Sequence, residues 1–72
     1  MKFRCRYVGS DDEAIPVHSV DPSSAAEEFV RTVDEDTLPA SAVQVDVTAP
    51  DGAVTRWHVW VHKVVYHTER VS

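Results

Sequence analysis

The chain begins with a regular alternation of apolar and polar positions over residues 2–8. The apolar side chains of this segment are Phe3, Cys5 and Tyr7. The positions between them are basic and are Lys2, Arg4 and Arg6. A period of two residues is typical of a strand with one buried face, so we predict such a strand here.

A second, shorter alternation follows a turn rich in Gly, Ser and Asp, with Ile15 and Val17 as its apolar positions. We predict a hairpin in which Tyr7 faces Ile15 and Cys5 faces Val17, because this register keeps the apolar side chains on one sheet face. Pro16 cannot donate to a central ladder, so the second strand is expected at an edge.

A helix is predicted next, starting at Asp21-Pro22, because Asp can accept orphan amide hydrogens and Pro fits the first helical position. A capping box from Ser24 to Glu27 is an alternative start. The acidic run 34–36 opposes the helix dipole, so the C-terminal end should fray. Apolar residues recur at the helical period in the stripe Ala25, Phe29 and Val33.

A second hairpin is predicted around the turn Pro50–Gly52, whose glycine suits a positive φ. Its first strand alternates three valines with polar residues: Val43, Val45 and Val47. The turn sets a register in which Asp46 lies opposite Arg56 and Gln44 lies opposite His58. All three valines then share one face with the apolar residues of the fourth strand.

The segment 54–67 is rich in β-branched and aromatic residues and is longer than its partner strand. Its apolar positions change phase near His62-Lys63, which indicates a bulge or bend. Two interpretations remain open: a bent strand that wraps the core, or an overhanging edge that pairs with a second copy. The second predicts a homodimer built around Val64, Val65 and Tyr66.

These elements predict an α+β fold of order β-β-α-β-β, with one helix on one face of a four-stranded sheet. A chain of 72 residues holds one core, so residues 1–72 form a single domain. The element order and size resemble the ubiquitin-like β-grasp. Two hairpins side by side are an alternative winding. The carriers of that family end in Gly-Gly, whereas this chain reads 69–72 as Glu-Arg-Val-Ser, so their chemistry is not expected.

Composition narrows the function classes. Twelve acidic residues against seven basic ones give a net charge of −5, which disfavours binding to phosphates or anionic membranes. A single cysteine excludes an intramolecular disulfide, and no signal peptide or membrane span is seen, so a cytoplasmic protein is expected. A core this thin leaves little room for a deep pocket, so we do not expect an enzyme.

Neither a metal nor a cofactor is expected. On a strand, His58 and His62 share a face but lie about 13 Å apart, too far to ligate one ion. Cys5 alternates with core residues, which favours a buried, inert thiol over a nucleophile.

The sheet face away from the helix, called the helix-free face below, is the candidate functional surface. Trp60 stands at a polar position of its strand, where it exposes apolar area unless the segment 64–66 folds over it. The predicted function is a small interaction module that binds a protein partner through this face or through a strand edge. Single-stranded nucleic acid is the alternative ligand. The candidate partner-binding residues are Arg4, Arg6, Arg56, His58, Trp60 and His62.

Overall fold

The computed structural model describes residues 1–33, 42–62 and 65–72, with the backbone alone for His62. Five antiparallel strands form one sheet in the order β2-β1-β3-β4-β5, and one helix contacts all five of them. The elements are β1 (Lys2–Tyr7), β2 (Ile15–His18), α1 (Pro22–Val33), β3 (Val43–Thr48), β4 (Val54–His62) and β5 (Val65–Arg70). The α+β class is confirmed, and the predicted count of four strands is wrong by one.

The fifth strand explains the change of phase in the long final segment. The segment is not one bent or overhanging strand, because β5 pairs antiparallel with β4 from His62↔Val65 onward. Each odd position of β4 therefore faces an even position of β5, as in Val61↔Tyr66. A single bent or overhanging strand is therefore the wrong interpretation of this segment, whereas pairing with a second copy stays a prediction. The element order is ββαβββ, so the resemblance to a β-grasp is not confirmed.

Of the two predicted hairpin registers, one is confirmed and the other is wrong. The β3–β4 register is confirmed, with Asp46 opposite Arg56. The β1–β2 register is wrong by two residues, since Cys5 and not Tyr7 lies opposite Ile15. A slip of two residues keeps every side chain on its own face, so the hydrophobic pattern cannot distinguish the two registers. Pro16 lies on an edge strand, as predicted.

The core fills the space between α1 and one sheet face. Its strand residues occupy alternate positions, and its helix residues form one stripe. The fully buried set is Phe3, Cys5, Ala25, Ala26, Phe29, Val30, Val45, Val47 and Val59. Burying a Val or Phe side chain contributes about 1.5–3 kcal/mol, so this face supplies most of the stability of the fold.

The start of α1 follows the predicted cap. The amide of Ser24 donates to Asp21 Oδ1 at 2.8 Å, and the Ser23 hydroxyl donates to the same oxygen at 2.9 Å. These bonds lower the pKa of Asp21, and the backbone bond from Ser24 is the largest cause. The predicted fraying concerns residues 34–36, which lie outside the described residues. Within the described residues, no helix has the length and apolar character needed to cross a membrane.

Candidate functional site

The pairing of the strands determines which side chains reach the helix-free face. In β1, β3 and β4 the odd positions hold the core residues, so the even positions point to the opposite face. In β5 the odd positions point to the helix-free face, because they pair with the even positions of β4. The polar and aromatic side chains on this face are Lys2, Arg4, Arg6, His18, Gln44, Asp46, Thr48, Arg56, His58, Trp60, His67 and Glu69.

Five of the six candidate partner-binding residues therefore share one surface, namely Arg4, Arg6, Arg56, His58 and Trp60. His62 ends β4, and its side chain lies outside the described part of the chain. His67 was missed in the sequence. The phase change between Val61 and Tyr66 was the signal that could have found it, because a hairpin there brings His67 opposite Trp60.

An aromatic row, defined as His58, Trp60 and His67, crosses β4 and β5. The His67 ring stacks on Trp60 at a centroid distance of 5.4 Å and an interplanar angle of 16°. The His58 ring meets Trp60 edge-on, also at 5.4 Å. Trp60 is half-buried as a result. The rings of His67 and His58 lie beside it, whereas Tyr66, which was expected to help cover it, packs against the core on the opposite face.

A single carboxylate stands between two arginines in the next row of the sheet. Asp46 lies opposite Arg6 on one side and opposite Arg56 on the other. Arg56 Nε donates to Asp46 Oδ1 at 2.9 Å, and this hydrogen bond raises the pKa of Arg56 further above its ordinary value. Arg6 is exposed and has no ion pair with any described residue.

A shallow basic cleft of about 400 Å³ lies at the end of this face, beside the β3–β4 turn. Lys2 and Arg4 line it together with Thr48, and neither cation is paired with a carboxylate in the described part of the chain. Asp51 in the adjoining turn accepts a hydrogen bond from the Ala53 amide at 2.9 Å. The Asp51 carboxylate is therefore engaged within the turn.

Charge is unevenly distributed over the protein. Among the described residues, the helix-free face carries four basic side chains and only two carboxylates, Asp46 and Glu69. The other described surfaces carry two basic residues, Arg31 and Arg70. They carry seven acidic residues, which are Asp11, Asp12, Glu13, Asp21, Glu27, Glu28 and Asp51. The helix-free face is thus cationic although the net charge of the protein is −5.

Of the three residues predicted to form a dimer interface, the two that the structure describes lie on opposite faces of the sheet. Val65 is exposed at the start of β5 on the helix-free face. Tyr66 is on the opposite face, where it packs against the core with the Arg31 guanidinium 5.1 Å from its ring centroid. Val64 lies outside the described residues. The unpaired overhang that motivated this interface is absent, because β4 pairs with residues 65–70.

Cys5 is buried on the core side, as its alternation predicts. Its thiol donates to the Ala25 carbonyl at 3.7 Å, and burial raises the pKa of Cys5 to about 11. A thiol with this pKa is almost entirely protonated at neutral pH and is a poor nucleophile. In the described ranges, no three His, Cys, Asp or Glu side chains lie close enough together to hold a metal ion.

Comparisons with protein-family models, with curated proteins and with solved structures found no match to this chain.

Proposed function

We propose that this protein is a non-enzymatic interaction module that docks onto a partner protein through its helix-free face. The observation that carries the proposal is that four basic side chains and the aromatic row share one sheet face of an otherwise acidic protein. The partner that fits this surface presents carboxylates around an aromatic or apolar side chain.

The central anchor of the docking surface is Trp60. Tryptophan and arginine dominate the binding energy of protein interfaces, because each adds a large contact area to directed hydrogen bonding. Trp60 is held by stacking on His67, so little rotamer freedom is lost on binding. Arg4 and Arg6 are exposed on β1, which β3 separates from β4. At this position they can reach the carboxylates of a partner.

Single-stranded nucleic acid is the second candidate ligand, since an aromatic side chain beside arginines is a platform for stacked bases. Two observations count against it. Asp46 and Glu69 lie within the same face and would repel phosphates. One face of the Trp60 ring already stacks on His67, which leaves less of it for a base. A protein partner tolerates both features, because polar and charged groups of either sign are common at interface rims.

A fluorescence titration tests the proposal with two defined probes, a synthetic Glu/Tyr copolymer peptide and a twelve-residue oligothymidylate. A Trp57→Phe background leaves Trp60 as the one fluorescent indole. We expect saturable binding of the peptide that is weakened about tenfold in Arg6→Gln. Trp60→Ala has no indole signal in this background, so its binding is measured by isothermal titration calorimetry, where we expect it to be lost. Arg31→Gln removes the same charge from the helix-covered side and should leave the affinity unchanged.

The outcomes separate the two candidates. Binding of the peptide without binding of the oligonucleotide at low salt supports a protein partner. Tight binding of the oligonucleotide, weakening steeply as salt rises, replaces that proposal with the second candidate. If neither probe changes the fluorescence of Trp60, the helix-free face is not a docking surface for acidic ligands.

A further inference from the structure

The two edges of the sheet are protected to very different degrees. At the β2 edge, the Ser19 amide donates to the Met1 carbonyl at 2.9 Å, so the odd positions of β2 turn their backbone groups toward β1. The outward positions are Pro16 and His18. Proline has no N–H, which makes this edge a poor template for another strand.

The β5 edge has no such device. The backbone amide of Arg56 donates to the Ser72 carbonyl at 2.9 Å, and the Arg56 carbonyl accepts from the Val71 amide at 2.8 Å. The even positions of β4 therefore turn their backbone groups toward β5. By alternation, the backbone groups of Val65, His67 and Glu69 also point into this pair. Those of the remaining β5 residues point outward, where no described strand pairs with them: Tyr66, Thr68 and Arg70.

We propose that β5 pairs in antiparallel fashion with β5 of a second copy of this chain, about a two-fold axis at Thr68. Only registers that match outward positions with outward positions form hydrogen bonds. In this register Thr68 lies opposite Thr68 of the second copy, and Tyr66 lies opposite its Arg70. Each such pair exchanges two backbone hydrogen bonds, so every outward donor and acceptor of β5 is satisfied.

Side-chain complementarity selects this register from its neighbours, because an imidazole N–H can donate to a carboxylate. On the helix-free face it puts His67 opposite Glu69 of the second copy, and this pairing occurs twice by symmetry. A two-fold axis at His67 would instead oppose two histidines, and an axis at Glu69 would oppose two carboxylates, which is unfavourable for directly paired residues. On the other face, Arg70 meets an aromatic ring.

The pairing would join the two sheets into one and place a carboxylate at the end of the aromatic row. Glu69 of the second copy would lie beside His67, which stacks on Trp60. The edge is a different surface from the helix-free face, so this dimer does not depend on the function proposed above. A two-fold arrangement of this kind is the commonest assembly of small proteins.

Sedimentation equilibrium of the full chain and of one edge variant tests the dimer. Thr68→Pro removes an outward N–H but no hydrogen bond to β4, so the variant should keep the circular dichroism spectrum of the folded chain. The matched control Thr68→Val retains the N–H. We expect a dimer for the unmodified chain and for Thr68→Val, and at least a tenfold weaker association for Thr68→Pro. A monomeric unmodified chain, or a folded Thr68→Pro protein that associates normally, overturns the proposal.

A cross-linking experiment tests the register without relying on the proline variant. Residues paired by hydrogen bonds across an antiparallel ladder have Cα atoms about 5.5 Å apart, within the range that a disulfide spans. Thr68→Cys should therefore form a covalent dimer on mild oxidation, while the buried Cys5 stays reduced. The control is His67→Cys, whose copies lie on a longer diagonal and should cross-link much more slowly. The register is wrong if the control cross-links faster.

Discussion

The two faces of the sheet are built from neighbouring residues of the same strands, yet they differ in almost every property. The face under α1 holds Phe3, Cys5 and three valines, all of them buried. The helix-free face holds arginines, histidines and Trp60, and its side chains pair with one another or reach solvent. Alternate positions of one strand therefore differ in role, since one set specifies the fold and the other is available for the recognition proposed above.

The largest expected effect comes from comparing two adjacent residues on the two faces. Phe3 is 1% exposed, whereas Arg4 is exposed on the helix-free face. Phe3→Ala should lower the free energy of unfolding by about 3–5 kcal/mol, because it removes buried contacts and leaves a cavity. Arg4→Ala should change it by less than about 0.5 kcal/mol. Urea denaturation measures both, and equal losses would break the distinction between the faces.

The thiol of Cys5 reports on the covered face. With a pKa of about 11 it should hold about a hundredfold less thiolate than an ordinary cysteine at pH 8. Labelling by a thiol reagent should accordingly be slow in the folded protein and fast in urea. Because folding raises this pKa from 9.0, the associated stability is complete below about pH 9 and is lost as the pH rises toward 11. Rapid labelling of the folded protein at pH 8 would contradict the burial of Cys5.

A smaller effect is expected where the covering helix begins. Asp21→Ala removes the acceptor of the Ser24 amide and should lower the unfolding midpoint by a few degrees at pH 7. Since folding lowers the pKa of Asp21, its contribution is present above about pH 3.8 and fades as the pH falls through the folded value. Asp11→Ala removes the same charge from an exposed turn and is the control. If the two variants unfold together, Asp21 does not secure the helix.

Much of the covered face could be predicted from the sequence, because its signals are local. The alternation around Val45, the turn Pro50–Gly52 and the cap at Asp21 each specify their own element, and the structure agrees with all three. The β1–β2 register could not be predicted, since two registers place the same side chains on the same faces. The strand count was wrong because the phase change near His62 was interpreted as a bend within one strand, whereas it marks the boundary between β4 and β5.

The candidate site was predictable only in part for the same reason. Arg56 and His58 follow from the β3–β4 register, and the structure puts them on one face with Arg4 and Arg6. The stacking of His67 on Trp60 depends on the pairing of β4 with β5, and the sequence between these strands has none of the Gly or Asn signals that usually predict a hairpin. Residues brought together by such a hairpin cannot be paired from the pattern alone.

The most direct test of the account uses the two tryptophans, because each stands on a different face. Trp57 lies on the covered side, where its indole N–H donates to Thr55 Oγ1 at 2.8 Å, and Trp60 is the centre of the aromatic row. A nitrogen-15 NMR titration with the Glu/Tyr copolymer peptide follows both indole signals at once. We expect the Trp60 signal to move and saturate while the Trp57 signal stays in place. Movement of the Trp57 signal with a stationary Trp60 signal would contradict it.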